Sequence, residues 1–169
     1  MTKFFDDPEK LFQYVQEQAM DVMNKEVAKE SKDLLSQHVE DDVYDAYTSQ
    51  NPYKDRREDD GGLSDTDNMI HTVTNTVNGM ELFVKNISNG NPNITYQGGV
   101  QPPNYLAGII EYGREPNRKG LYAYNQTGTE DEFLRPRPFI SNTASELSRT
   151  LEHLEWFKDG MKRRGIKLD

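Results

Sequence analysis

The residues best suited to chemistry are three carboxylate pairs, Asp41/Asp42, Asp59/Asp60 and Asp65/Asp67, and three histidines, His38, His71 and His153. Closely spaced carboxylates can hold a divalent cation or share acid and base roles in hydrolysis. Asp65-Thr66-Asp67-Asn68 has the opening of a calcium loop, but the other ligands and the bidentate Glu at the twelfth position are missing. The pairs have no partner nucleophile and no apolar pocket that would raise a carboxyl pKa. The histidines lie far apart, with no second His or Cys at ligand spacing, so structural or solvated roles are expected. The chain carries no G-x-x-x-x-G-K-[ST], G-x-G-x-x-G or G-x-S-x-G, and hence no signal for a phosphate cradle or a nucleophile elbow. With no cysteine, thiolate zinc sites, iron–sulfur clusters, disulfides and cysteine nucleophiles are excluded together. The expectation is a non-enzymatic chain without cofactor or metal. The alternative from a different class is a small divalent-metal protein or enzyme using the Asp-rich 55–68 segment.

The charge points the same way. The 169 residues carry a net charge of −9 and are 34% hydrophobic, which argues against unassisted DNA binding by phosphate neutralisation and leaves a lean core. The charge is graded: 18 acids and 8 bases in residues 1–68, 6 and 4 in 69–134, 5 and 8 in 135–169. An acidic front and a basic end can be two solvated helix faces, can attract each other within one fold, or can pair head-to-tail between copies. The basic residues Arg149, Lys158, Lys162, Arg163, Arg164 and Lys167 could approach phosphates, but Glu152, Glu155 and Asp159 interleave with them. No apolar leader and no membrane-length apolar run is present, so a soluble, non-exported chain is expected. The Asn-x-Ser/Thr sequons at Asn86, Asn93 and Asn125 then read as turn composition.

The elements that would hold these residues follow from periodicity. Asp6-Asp7-Pro8 signals a capped helix start, and Leu11, Val15, Ala19, Val22, Met23 and Val27, then Leu34, Leu35 and Val39, give one apolar stripe over 8–38. Ala28, Lys29, Glu30, Lys32 and Asp33 favour helix without burial, which predicts a solvent-facing later half. Residues 40–68 read as a long polar loop with Tyr44, Tyr47 and Tyr53 as anchors, a length uncommon unless functional or ordered by a partner. Alternating apolar and polar residues on both sides of Asn78-Gly79 predict a β-hairpin over 69–87. A loop over 88–104, a short helix over 105–113 closed by Gly113, and a loop with a candidate edge strand over 114–134 follow.

Arg135-Pro136-Arg137-Pro138 is extended, because each Arg precedes a proline, and it lacks the P-x-x-P spacing of an SH3 ligand. The last helix is expected over 138–164, with Ile140, Ala144, Leu147, Leu151, Leu154 and Met161 as its apolar stripe and Gly165 as its C′ residue. The fold class is α+β in a single domain of residues 1–169: long N- and C-terminal amphipathic helices packed on a small antiparallel β-sheet, with long polar loops. Nine tyrosines against one tryptophan suit surfaces that become partly buried on assembly.

Several pieces resemble a family of tailed-bacteriophage neck proteins, the small tail-completion or head–tail joining proteins of lambdoid-type and Gram-positive phages. They are Val43-Tyr44-Asp45-Ala46-Tyr47-Thr48, Tyr53-Lys54-Asp55-Arg56-Arg57, Gly61-Gly62-Leu63-Ser64-Asp65, Ile110-Glu111-Tyr112-Gly113 and Arg135-Pro136-Arg137-Pro138-Phe139-Ile140. The resemblance spans roughly residues 8–165, with 88–104 and 114–134 looking like insertions. It implies a structural virion protein that forms a ring, expected to be hexameric, at the head–tail junction. Its partners would be copies of itself, the connector or adaptor, and the tail tube or terminator, with passive proximity to phage DNA and no membrane. The assembly interface would draw on Tyr47, Tyr53, Arg56, Arg57, Leu63, Glu111, Tyr112, Arg135, Arg137 and Phe139. Its location would be the virion neck, and the host cytoplasm during assembly. The tail terminator and the head-closure adaptor are the nearest alternative roles.

Overall fold

A computed structural model describes residues 5–46, 62–77, 79–88, 106–113 and 136–168. The tyrosine- and arginine-bearing run 47–61 and the segments 89–105 and 114–135 lie outside them. The fold is α+β: helices α1 (Pro8–Val22), α2 (Ala28–His38), α3 (Leu106–Tyr112), α4 (Phe139–Thr150) and α5 (Glu152–Arg163), with one two-stranded antiparallel sheet of β1 (Met69–Thr76) and β2 (Gly79–Asn86). The chain divides into two compact units: Met1–Asp33 with His71–Val84 and Glu146–Asp169, and Leu34–Ile70 with Lys85–Ser145.

α1 starts where the sequence signals it: Pro8 stands in the first turn, and the Asp7 carboxylate accepts from the Glu9 amide at 2.9 Å. The helical path does not stop at 38 but continues to Tyr44, through π-helical turns at Met23–Val27 and Val39–Tyr44. The first of these shifts the buried side. Ordinary helical spacing from Val22 would bring Glu26 and Lys29 inward, whereas the wider turn brings in Val27 and Ala28, followed by Ser31, Leu35, Val39 and Val43, all buried. The solvent-facing later half expected from composition is therefore corrected: α2 buries a regular four-residue row, which the intervening charges mask in the sequence.

In the first unit, Ala19, Val22, Val27 and Met161 form the buried centre, flanked by Val15, Met23, Met80, Leu82, Trp156, Phe157 and Ile166. Alternate residues of the hairpin face inward, while Ile70, Thr72, Thr74, Glu81, Phe83 and Lys85 are exposed. α5 ends in a Schellman motif: the Ile166 amide donates to Met161 O (3.0 Å) and the Gly165 amide to Lys162 O (2.9 Å), with Gly165 at φ +79°. It packs against α1 at Gly160, where an added Cβ would lie 2.5 Å from Val22 Cγ1 and 2.8 Å from a Glu26 oxygen.

The acidic front and basic end meet in this unit. Arg164 Nη2 donates to Asp21 at 2.6 Å, Arg164 and Arg163 both bond Glu26, and Asp21 also pairs with Lys25 at 2.6 Å. Burial pushes the Glu26 carboxyl up, but the hydrogen bonds from Arg164 and Arg163 outweigh it and hold the group below its ordinary 4.5. The Lys25 hydrogen bond, then that of Arg164, likewise lowers Asp21 below 3.8. Attraction within one fold thus accounts for Arg163 and Arg164.

Two outcomes follow. Gly160→Ala is expected to destabilise by about 1–3 kcal/mol despite alanine's better helix propensity, because the methyl overpacks against Val22; urea denaturation measures it. The depressed Glu26 and Asp21 values mean that their contribution is complete above about pH 4.5 and is lost as pH falls through the lower folded values. The melting temperature should therefore drop on acidification below pH 4.5 by less in Glu26→Gln than in the parent chain.

Candidate functional site

The second unit contains the Gly-Gly-Leu and Arg-Pro-Phe pieces, and in it polar side chains bind backbone. Residues 62–65 form a turn whose groups are taken up one by one: Tyr44 OH accepts from Leu63 N (3.0 Å), Asn86 Nδ2 donates to Leu63 O (2.7 Å) and Ser36 Oγ donates to Ser64 O (2.6 Å). Gly62 O receives Ser88 Oγ (3.1 Å) and Asn68 Nδ2 (3.2 Å), and the Ile87 amide donates to Asn68 O (2.7 Å). Leu63, Asn86 and Ser88 are all buried. A buried amide or hydroxyl is tolerable only when it is bonded, and these are. The sequon asparagine at 86 is thus an interior strut.

The second cluster centres on Glu111 of α3, which is 3% exposed. Its carboxylate accepts from the amides of Ile140 (2.8 Å) and Ser141 (3.0 Å), and also from Ser141 Oγ. The first amides of a helix have no partner within it, and they lie at its positive end, so an anion placed there meets both needs. The Pro136-Arg137-Pro138 run leading into α4 delivers this geometry. The Arg137 amide donates to Ile110 O at 2.9 Å, Pro138 O accepts the first helical bond from Asn142 at 2.8 Å, and Phe139 is fully buried. Thr143 lies buried inside α4 and donates to Phe139 O at 2.7 Å, while the helix start itself is capped by Glu111.

Of the residues expected at an assembly interface, Leu63, Glu111, Arg137 and Phe139 are interior to the chain, and the last three come together at the start of α4. Tyr112, next to Glu111, is 78% exposed. Tyr47, Tyr53, Arg56, Arg57 and Arg135 lie outside the described residues. The sequence reads Asn86 and Ser88 only as turn composition and gives no signal for Ser36, which lies within α2.

Of the groups singled out for chemistry, His38, Asp42 and Asp65 are bound within the chain, His153 Nδ1 is buried without a hydrogen-bond partner, and Asp59 and Asp60 lie outside the described residues. Asp42 Oδ2 lies 2.9 Å from both His38 Nδ1 and Asn142 Nδ2, and Asp65 Oδ1 caps the Thr66–Asn68 turn through the Asp67 amide at 2.9 Å. Among the described residues no three His, Asp or Glu side chains could hold a metal ion together, and no helix is long and apolar enough to cross a membrane. The exposed apolar side chains include Phe12, Phe83, Tyr112, Leu151 and Leu154.

Glu111→Gln keeps the shape but offers one acceptor oxygen where two are used, leaving an α4 donor unpaired. We expect a loss of about 1–3 kcal/mol, with Glu111→Ala losing more, in chemical denaturation followed by circular dichroism.

A family model named YomN matches residues 7–163, from the cap of α1 to the last residue of α5. No curated protein and no solved structure matches the chain. With nearly its whole length accounted for by that one model, the chain belongs to the YomN family, a phage-derived protein family.

Proposed function

We propose that this chain is a structural protein of the tailed-phage neck, acting by assembly rather than catalysis. It forms a ring of copies at the head–tail junction, hexameric by the neck resemblance, which joins the connector or adaptor to the tail tube or terminator. The observation that carries this reading is membership of a phage-derived family over residues 7–163, together with the neck-type motifs in that span. The motif residues support it by their use. Glu111, Arg137 and Phe139 make a rigid corner, and that corner leaves Tyr112 outward on an element pinned by hydrogen bonds. A tyrosine so placed offers large contact area at little entropic cost, as interface anchors do. The acidic front would keep passing DNA from adhering, so contact with the genome is passive. The protein would be found in the virion neck, after assembly in the host cytoplasm.

Two measurements test the reading. Antibody labelling of purified particles should mark the head–tail junction, and particles without the protein would refute the neck role. Tyr112→Ala should leave the melting temperature within about 2 °C of the parent, since the side chain is mostly in water, yet lower incorporation into particles at least tenfold. Normal incorporation of that variant would remove Tyr112 from the interface.

A further inference from the structure

The last helix was expected to be continuous from 138 to 164, and the structure breaks it at Leu151. That residue has φ 58° and ψ 20°, the only positive φ at a non-glycine among the described residues. Left-handed backbone crowds a leucine Cβ against the following carbonyl, so such residues persist only where something compensates. Little does so here: Leu151 is 49% exposed and Leu154 45%. Nothing in the local sequence demands a break, since Leu147-Ser148-Arg149-Thr150-Leu151-Glu152-His153-Leu154 holds neither Gly nor Pro.

The buried side also ignores the break. Phe139, Thr143, Glu146, Thr150, His153, Phe157, Gly160 and Arg164, all buried or half-buried, keep alternating steps of four and three straight through it. This row sits one residue before the stripe of Ile140, Ala144, Leu147, Leu151, Leu154 and Met161 expected from hydrophobicity, in which Ala144, Leu151 and Leu154 are exposed. The bend is held by a local substitute. Thr150 Oγ1 donates to Glu146 O at 3.0 Å and accepts from the Glu152 amide at 3.4 Å, standing in for a helical carbonyl, and the Leu154 amide restarts the turn on Leu151 O at 2.9 Å.

We propose that Leu151 is a two-state elbow: bent as described, and able to straighten so that α4 and α5 become one helix, which aligns Ala144, Leu147, Leu151 and Leu154 in a single row. Straightening releases the left-handed strain and restores ordinary helical bonding, while the bend keeps the Thr150 bridge. The strain released on straightening thus opposes the loss of that bridge.

The chain has no cysteine of its own, so nitroxides can be placed at Ser148→Cys and Lys162→Cys, both exposed, and their separation measured by pulsed electron resonance on the whole protein. A straight helix sets these α-carbons about 21 Å apart. Two populations are expected, one at that span and one shorter. Leu151→Gly, which makes the left-handed turn free and weakens the helix, should shift the ratio about fivefold or more toward the short one. Thr150→Ala, which removes the bridge, should shift it toward the long one. A single distance, short or long, unmoved by either substitution would overturn the proposal.

Discussion

The carboxylate of Glu111 at the start of α4 is the contact on which the second unit depends. It joins a seven-residue helix, too short to stand alone, to the entry of a twelve-residue one across a separation of 29 positions in the chain. Without it the α4 amides would be buried or half-buried with no acceptor, and Arg137 and Phe139 would lose the frame that seats them. The same solution recurs at Leu63 and Gly62, whose carbonyls are claimed by Asn86, Ser88 and Asn68. A chain that is 34% hydrophobic has few apolar residues to spend on two centres. It closes the second with side-chain to backbone hydrogen bonds, each modest when made and costly when left open.

The first unit works from the opposite direction. Its apolar centre is small, but two helices approach closely enough that only glycine fits at 160, and the periphery is fastened by Arg163 and Arg164 on Asp21 and Glu26. Arg164 and Glu26 are mostly shielded from water, with 18% and 22% of their side chains exposed, so this pair escapes much of the screening that weakens surface ion pairs. The charge gradient along the sequence is in part the imprint of this fastening.

What could be read from the sequence was local. The Asp7-Pro8 start, the Gly79 opening of β2 and the Gly165 stop each place their own signal within a few residues, and all three mark observed boundaries. The phage resemblance likewise rests on short motifs that the sequence carries independently of the fold. What could not be read was non-local or frustrated. Nothing near Glu111 announces that it caps a helix 29 positions on, and the seam through Phe139, Thr143 and Thr150 hides behind a more hydrophobic row beside it. The break at Leu151 opposes every local preference. The π turns were illegible for a related reason: hydrophobic periodicity assumes one spacing throughout.

Those π turns have a consequence for chain length. From Val22 to Val27 is five positions, one more than an α-turn needs, and the extra residue is absorbed without disturbing the helix on either side. A chain one residue shorter between them would close as ordinary α-helix and leave both flanking faces where they are. This stretch of the helix is thus a joint that takes up an extra residue while the buried row continues on both sides of it.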